Sequence, residues 1–247
     1  MRDARDDWRR FDATRIPSKD ATPHLDRFLR SVQDAATGGP PLALLDVGCG
    51  DGRLSRRMHD QGFSVTGVDI SEEAVRAARE LAVAAAAGPR LRFVAADFAA
   101  DHLPRIDAGP FDVVVCQLVI SIIGAARDRA TLLRNIHANL RPGGRLYLSA
   151  SGVSDTINAA YARLYAEDFP LTGERHTYLS RDDRCEILYM THHFTVDELT
   201  GLLETAGFGR ISITTEKESS SRRPDEAAYF HYATCQAGRG TKEKIKR

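Results

Sequence analysis

The sequence predicts an α/β chain with a doubly wound, mostly parallel sheet, and three observations carry that prediction. Leu44-Leu45-Asp46-Val47 is a short apolar run that enters the glycine-rich turn Gly48-Cys49-Gly50-Asp51-Gly52 and then a helical stretch from Arg53. That is the order of a buried strand, a tight turn and a helix N-terminus, an arrangement that suits a nucleotide. Two further strand-like runs follow, with helical stretches between them, and end near the acidic residues Asp69 and Asp97. A fourth run, Phe111-Asp112-Val113-Val114-Val115-Cys116-Gln117, is β-branched over most of its length, as a strand buried on both faces requires.

The 247 residues hold 34 Lys+Arg and 34 Asp+Glu, so no net charge draws the chain toward nucleic acid or an anionic membrane. No apolar run reaches transmembrane length, and Met1-Arg2-Asp3-Ala4-Arg5-Asp6-Asp7-Trp8 is too charged for a signal peptide. Cys49, Cys116, Cys185 and Cys235 are scattered, with no C-x-x-C pair. The expectation is a cytoplasmic protein with neither a disulfide framework nor a metal site.

Each element has a local reason. Residues 1–21 form a polar arm whose large apolar residues besides Met1 are Trp8, Phe11 and Ile16. Thr22-Pro23 reads as an N-cap with proline at the first helical position, and Leu25, Phe28, Leu29 and Val32 recur at helical spacing. Gly38-Gly39-Pro40-Pro41 ends that helix. After the central turn, Leu54 and Met58 mark a helix that Gly62 closes, and residues 63–70 form the second strand. Ser71 caps an alanine-rich helix predicted through Ala87, with Glu72 and Glu73 where the helix dipole favours them. Residues 91–98 form the third strand and 127–140 a helix. Arg141-Pro142-Gly143-Gly144 reads as a sharp turn, followed by a fifth strand over 145–150.

Residues 151–193 break the alternation. Residues 157–165 read as a helix, and 176–180 with 185–192 as a hairpin around Arg181-Asp182-Asp183-Arg184. Such an insert on a rigid scaffold commonly carries specificity, so it is read as a lid or acceptor-binding element. Thr195-Val196-Asp197-Glu198 is a capping box with Phe194 and Leu199 as its hydrophobic staple. That helix runs to Gly207. Residues 210–215 and 227–236 form a terminal strand pair, and 238–247 are expected to be a disordered basic tail. A single domain over 1–247 is expected, with 40–150 as its core.

The G-x-G-x-G spacing of Gly48, Gly50 and Gly52, with Asp46 two residues before it, resembles the first motif of the class I S-adenosylmethionine-dependent methyltransferases. Asp69 about twenty residues on, Asp97 after the third strand and Leu140-Arg141-Pro142-Gly143-Gly144-Arg145-Leu146 before the fifth extend the resemblance over roughly 40–150. It implies seven strands, the last antiparallel, with S-adenosylmethionine bound at their carboxyl ends and S-adenosylhomocysteine as product. By the resemblance, Asp46, Gly48, Cys49 and Gly50 line the cofactor. Asp69 and Ile70 hold the ribose, and Asp97 and Phe98 the adenine. Gln117 and Ile120 face the transferred methyl group, and Trp8 helps an N-terminal arm close over the site.

A nicotinamide-dependent oxidoreductase would also use Asp69, but the glycine spacing differs, and Tyr161-Ala162-Arg163-Leu164-Tyr165 lacks the lysine of a short-chain dehydrogenase. A non-catalytic cofactor-binding subunit is a further alternative. After the fourth strand, Gln117-Leu118-Val119 has none of the prolines that amino-methylating DNA enzymes carry, and Val115 replaces the proline of a Pro-Cys nucleophile at Cys116. The paired glutamates of arginine methyltransferases and the carboxylate cluster of metal-dependent catechol enzymes are missing too. A small-molecule acceptor with an O, N or S nucleophile is therefore expected, methylated by direct displacement in a monomer or homodimer; a peptide, protein or RNA acceptor is the alternative. The base candidates are His193, His192 and His176, with Tyr178 and Tyr189 as polar contacts. On a strand Tyr189, Thr191 and His193 share one face, whereas His192 shares the other with Leu188 and Met190, which favours His193 for the cleft.

Overall fold

The computed structural model describes residue 8 and residues 22–36, 38–102, 106–182, 184–220 and 225–238. The expectations for the arm other than Trp8, and for the tail past 238, lie outside the described residues. In chain order the helices are α1 (Pro23–Asp34), α2 (Arg53–Asp60), α3 (Glu72–Ala84), α4 (Ala126–Asn139), α5 (Ala159–Thr172) and α6 (Val196–Thr205). The strands are β1 (Ala43–Val47), β2 (Ser64–Asp69), β3 (Leu91–Ala95), β4 (Phe111–Gln117), β5 (Leu140–Gly152), β6 (Thr177–Arg181), β7 (Ile187–His192), β8 (Phe208–Ser219) and β9 (Ala227–Ala237).

Seven strands form one sheet in the order β3-β2-β1-β4-β5-β9-β8. β3 through β5 are parallel, and β9 runs antiparallel to both β5 and β8. Alternation along the strands divides the core into two layers. Leu45, Val114, Cys116, Leu146 and Leu148 pack toward Leu132, Leu133 and Ile136 of α4 and Leu199 and Leu203 of α6. Leu44, Val113, Val115 and Tyr147 belong to the opposite layer with α1, α2 and α3. Burying one such side chain contributes about 1.5–3 kcal/mol, so this double apolar layer is what holds the strand ends in register.

The caps behave as their residues dictate. Thr22 Oγ1 accepts the Leu25 N–H at 3.2 Å and also meets the Tyr147 hydroxyl at 2.8 Å, tying the start of α1 to β5. Ser71 and Thr195 cap α3 and α6 in the same way, and Phe194 and Leu199 are both fully buried.

Several boundaries depart from the sequence reading, β8 among them, which spans Phe208–Ser219 rather than 210–215. α3 stops at Ala84 rather than Ala87, because its last turn leaves the sheet: Leu81 and Val83 are exposed and Ala86 has φ 51°. The Pro142-Gly143-Gly144 segment lies within the long strand β5, with a register irregularity against β4 and Gly143 at φ 79°. β3 ends at Ala95, two residues before Asp97. α5 starts at Ala159 behind the Asn158 cap and continues to Thr172, with Pro170 in its last turn.

The insert is α5 followed by the β6–β7 hairpin. Buried Asp168 on α5 accepts the Leu179 N–H at 2.8 Å and pairs with Arg181 at 2.5 Å, which ties the helix to the hairpin. At its far end the Phe194 N–H donates to Ser151 O and the Val153 N–H to Phe194 O, which seats the insert's exit beside the end of β5. Met190 of β7 lies where a side chain on Gly124 would be, 3.0 Å away. The hairpin therefore rests on the segment that follows β4.

Candidate active site

The carboxyl ends of β1, β2 and β4 meet around the glycine turn. Gly50 has φ 52° and open space on its Cβ side, and its N–H donates to Asp69 Oδ2 at 2.9 Å. Asp69 Oδ1 accepts the Ser71 N–H, also at 2.9 Å. One carboxylate at the end of β2 thus braces the turn and starts α3. Burial pushes Asp69 above the usual carboxylate range, and its backbone donors, Ile70 among them, oppose that rise. Gly48 is exposed, while Gly50 and Ile70 are half-buried.

Asp46 was expected against the cofactor. It lies beneath the turn instead, 2% exposed, where Ser55 Oγ donates to Oδ2 at 2.6 Å and joins β1 to α2. Burial raises its pKa to about 7, the Ser55 bond opposes this, and the nearby Asp69 adds to it. Cys49 is buried beside the same carboxylates and is pushed well above the ordinary thiol value, so it stays protonated.

Two more expectations change. Phe98 is 5% exposed and belongs to the apolar layer with Val68 and Phe111, so its ring is turned into the core rather than toward an adenine. Ile120 is fully buried in that same layer and does not line an acceptor pocket. Asp97 is half-buried, and its Oδ1 accepts the Ala99 N–H at 2.9 Å, forming a tight turn after β3. Gln117 ends β4 half-buried, and the next residue, Leu118, has φ 61° and donates its N–H to Ser149 O and Oγ at 3.1 and 3.0 Å.

The insert brings its aromatic residues together beside these strand ends. His193 is 3% exposed, with its ring 4.8 Å from Tyr161, 5.3 Å from Tyr178 and 5.7 Å from Tyr165. Tyr165 Oη lies 2.6 Å from His193 Nδ1. His176, at φ 59°, meets Tyr165 edge-on at 5.6 Å. Tyr189 is buried as well and packs against Trp8, centroid to centroid 4.7 Å. Tyr161 and Tyr165 were not singled out as acceptor residues, although their spacing of four on a helix places them on one face.

The structure argues against a general-base role for each histidine. Burial, followed by the neighbouring His192, His176 and His231, lowers His193 to about 3. His176 is lowered too, chiefly by burial. His192 has both ring nitrogens engaged, Nδ1 with Thr177 Oγ1 at 2.7 Å and Nε2 with Glu198 Oε1 at 2.9 Å. Burial raises Glu198, but the bond from His192, the charges of His192 and Arg129 and the Thr195 backbone bond together outweigh this and hold its carboxyl below the usual range. Glu174 lies 3.8 Å from His192 and pairs with the buried Arg129 of α4. Glu174, His192 and Glu198 place ligand-type atoms within 4.8 Å of one another. The Arg129 guanidinium pairs with Glu174, one of the two carboxylates, and the cluster acts as a polar clasp between the insert, α4 and α6.

Known proteins match this architecture. Residues 44–144 match the family described as "Methyltransferase domain". A SAM-dependent methyltransferase from Methanosarcina mazei superposes with TM-score 0.76 at 25% identity, covering 90% of this chain and 100% of that one. Over this shared core the chain is similar to the class I S-adenosylmethionine-dependent methyltransferases. Among curated relatives, the ubiquinone biosynthesis O-methyltransferase of Pseudomonas paraeruginosa is 34% identical over 116 residues, 47% of each chain. That of Caulobacter vibrioides is 36% identical over 141 residues, 56% of this chain and 52% of the relative. The chain spans about half the length of the curated relatives it matches. The methyltransferase match centres on β1 to β5, so the α5–β7 insert lies outside the matched family region. No helix among the described residues is long and apolar enough to cross a membrane.

Proposed function

We propose that this methyltransferase binds S-adenosylmethionine and moves its methyl group onto a small-molecule acceptor, with oxygen as the methylated atom. The observation that carries the reading is the Gly50–Asp69 pair, an open-faced glycine whose N–H is held by a carboxylate at the end of β2. The group fits. A carboxylate oxygen with one backbone donor retains acceptor capacity for ribose hydroxyls, and glycine lets a ligand approach the main chain. When bound, the cofactor supplies a methyl group made electrophilic by a sulfonium. Asp69 and Ile70 would hold the ribose, Asp97 the adenine amino group, and Gly48 and Gly50 the backbone path. Gln117 and Leu118 would border the reacting end.

The protein's work is then alignment and exclusion of water. Holding two reactants in place is worth about 7–11 kcal/mol of a bimolecular barrier. The β6–β7 hairpin resting on the segment after β4 serves as the cover, and the tyrosines of α5 and β6 as the acceptor-side wall. Tyr189, packed against Trp8, would extend that wall. The small-molecule reading draws on the curated relatives, which are named as O-methyltransferases of ubiquinone biosynthesis.

Isothermal titration with S-adenosylhomocysteine and with NAD tests the cofactor. Binding of the first and none of the second is expected, and the reverse would overturn the reading. Methyl-labelled S-adenosylmethionine offered with phenols, amines and thiols then identifies the acceptor atom.

A further inference from the structure

A cavity of about 210 Å³ lies between α2, α3 and β3, at the edge of the sheet. Small residues make the room: Ala78 and Ala82 stand one turn apart on α3, and both line it. The buried Phe93 ring closes it on the inner side. A Cβ on Gly52 would fall 2.7 Å from Phe93 Cζ, and one on Gly67 2.6 Å from Phe93 Cδ1, so the ring is wedged against the glycine turn and β2. Arg79 of α3 donates Nε and Nη2 to Phe93 O at 3.0 and 2.8 Å, which ties the helix to the strand. The cavity is thus framed by elements already bonded to one another.

Its mouth opens to solvent between an apolar and a cationic side. Leu81 of α3 lines it at 44% exposure, an apolar surface that a ligand would take from water. Arg53 and Arg56 of α2 line it too, and both are exposed. Arg53 Nε donates to Asp51 Oδ2 at 2.7 Å, whereas Arg56 Nε lies 3.9 Å from Asp60 Oδ2, beyond hydrogen-bond distance. No carboxylate is among the described residues that line the cavity. That leaves the planar fork of Arg56 for an anion at the mouth. Gly50 and Asp69, which carry the cofactor reading, do not line this space.

The geometry points to a second ligand site, one that takes a small apolar carboxylate. Its ring fills the space over Phe93 and Ala82, and its charge pairs with Arg56. Size sets the class: an apolar cavity of roughly 150 Å³ takes up benzene, so the space here admits one ring with a carboxylate. Charge sets the sign. A neutral molecule of the same shape keeps the apolar contact but forfeits the charge-assisted pair, and a cation meets two guanidiniums. The site stands apart from the methyl-transfer reading, with Phe93 between it and the glycine turn.

The test uses the full chain and amide NMR, with phenylacetate as the probe and phenylacetamide as its uncharged match. Phenylacetate should shift the amides of Gly52, Ala78 and Ala82 in a saturable way. Phenylacetamide should bind at least about threefold more weakly, the modest factor that an exposed guanidinium supplies. Arg56→Gln should lose that preference. Ala82→Phe, which fills the cavity, should weaken phenylacetate at least about tenfold, since the ring then has no apolar surface to cover. Saturating S-adenosylhomocysteine should leave phenylacetate bound. The inference is overturned by an absence of saturable shifts, by shifts gathered at Gly50 and Asp69, or by displacement with S-adenosylhomocysteine. Equal binding of the two probes, a preference kept by Arg56→Gln, or full binding by Ala82→Phe overturns it as well. The probe comparison and the position of the shifts judge it even if Ala82→Phe fails to fold. A parent chain that binds phenylacetate at Gly52 and Ala82 but does not bind S-adenosylhomocysteine would instead sink the methyltransferase reading and leave this site standing.

Discussion

Gly48 lies directly against Val119: a Cβ at Gly48 would fall 2.2 Å from Val119 Cγ2. Gly48 also has φ 75°, which disfavours any side chain. The first turn and the segment after β4 thus touch, and that segment in turn carries the β6–β7 hairpin through Gly124 and Met190. Gly48→Ala is expected to lower the melting temperature and abolish S-adenosylhomocysteine binding. Adding Val119→Ala removes the collision but not the backbone strain of about 1 kcal/mol, so calorimetry should show partial recovery. Full recovery would mean the φ value carries no cost there.

Asp69 is a brace as well as a proposed ligand of the ribose. Its two oxygens hold the N–H groups of Gly50 and Ser71. Reading the sequence alone, one expects Asp69→Ala to weaken cofactor binding and leave the fold intact. The structure adds a stability cost, because two backbone donors lose their partner. Asp69→Asn retains one acceptor and should cost less. Cofactor affinity is expected to fall by about tenfold or more in both variants, with the larger drop in melting temperature for Asp69→Ala. Equal melting temperatures for the two variants would remove the brace from the account.

That contrast shows what was legible. The strands of the parallel sheet announce themselves by apolar runs bounded by glycine or acidic residues, and the caps at Thr22, Ser71 and Thr195 by local chemistry. Phe98 and Ile120 misled because an apolar residue at a strand end reads equally as core or as ligand wall. The polar clasp was invisible for a different reason. Arg129 and Glu174 are 45 residues apart, and only the docking of the insert brings them together.

Asp46 supplies a pH dependence whose sign follows from its burial. Its ordinary pKa of 3.8 rises to about 7 in the folded protein. Above 3.8 the unfolded chain releases the proton, while the folded chain keeps it to about 7. The folded state therefore loses stability progressively across that window, and by a constant amount at higher pH. Asp46→Asn cannot ionise and still accepts from Ser55. Its stability gain over the parent should be absent near pH 3 and grow through the window to at most about 4 kcal/mol. Urea titrations at several pH values measure it, and a gain that does not change with pH would show that Asp46 ionises freely.

Arg129 anchors the insert. It is 1% exposed and donates to Ile123 O and Gly124 O at 3.0 and 2.9 Å while pairing with Glu174. Arg129→Met leaves a carboxylate and two carbonyls without their donor. The cost should be about 3 kcal/mol, the low end for a broken buried pair, because Glu174 retains 29% exposure. Hydrogen exchange should show β6 and β7 opening well before β1 and β4. Uniform acceleration across the sheet would show instead that the clasp supports the whole fold.

Trp8 reports on its own neighbourhood, since the chain has 1 tryptophan. Its ring lies 4.7 Å from that of Tyr189 at an interplanar angle of 43°. Tyr189 is 6% exposed, so half-buried Trp8 meets a face that the hairpin itself supports. Tyr189→Ala should shift the fluorescence emission to longer wavelength and make it more accessible to iodide. If the arm closes over the cofactor, adding S-adenosylhomocysteine to the parent chain should do the opposite, and Arg129→Met, which loosens the hairpin, should blunt that response. An emission spectrum indifferent to Tyr189→Ala would mean that the arm does not rest on the hairpin in solution, and the closing role of Trp8 would have to be abandoned.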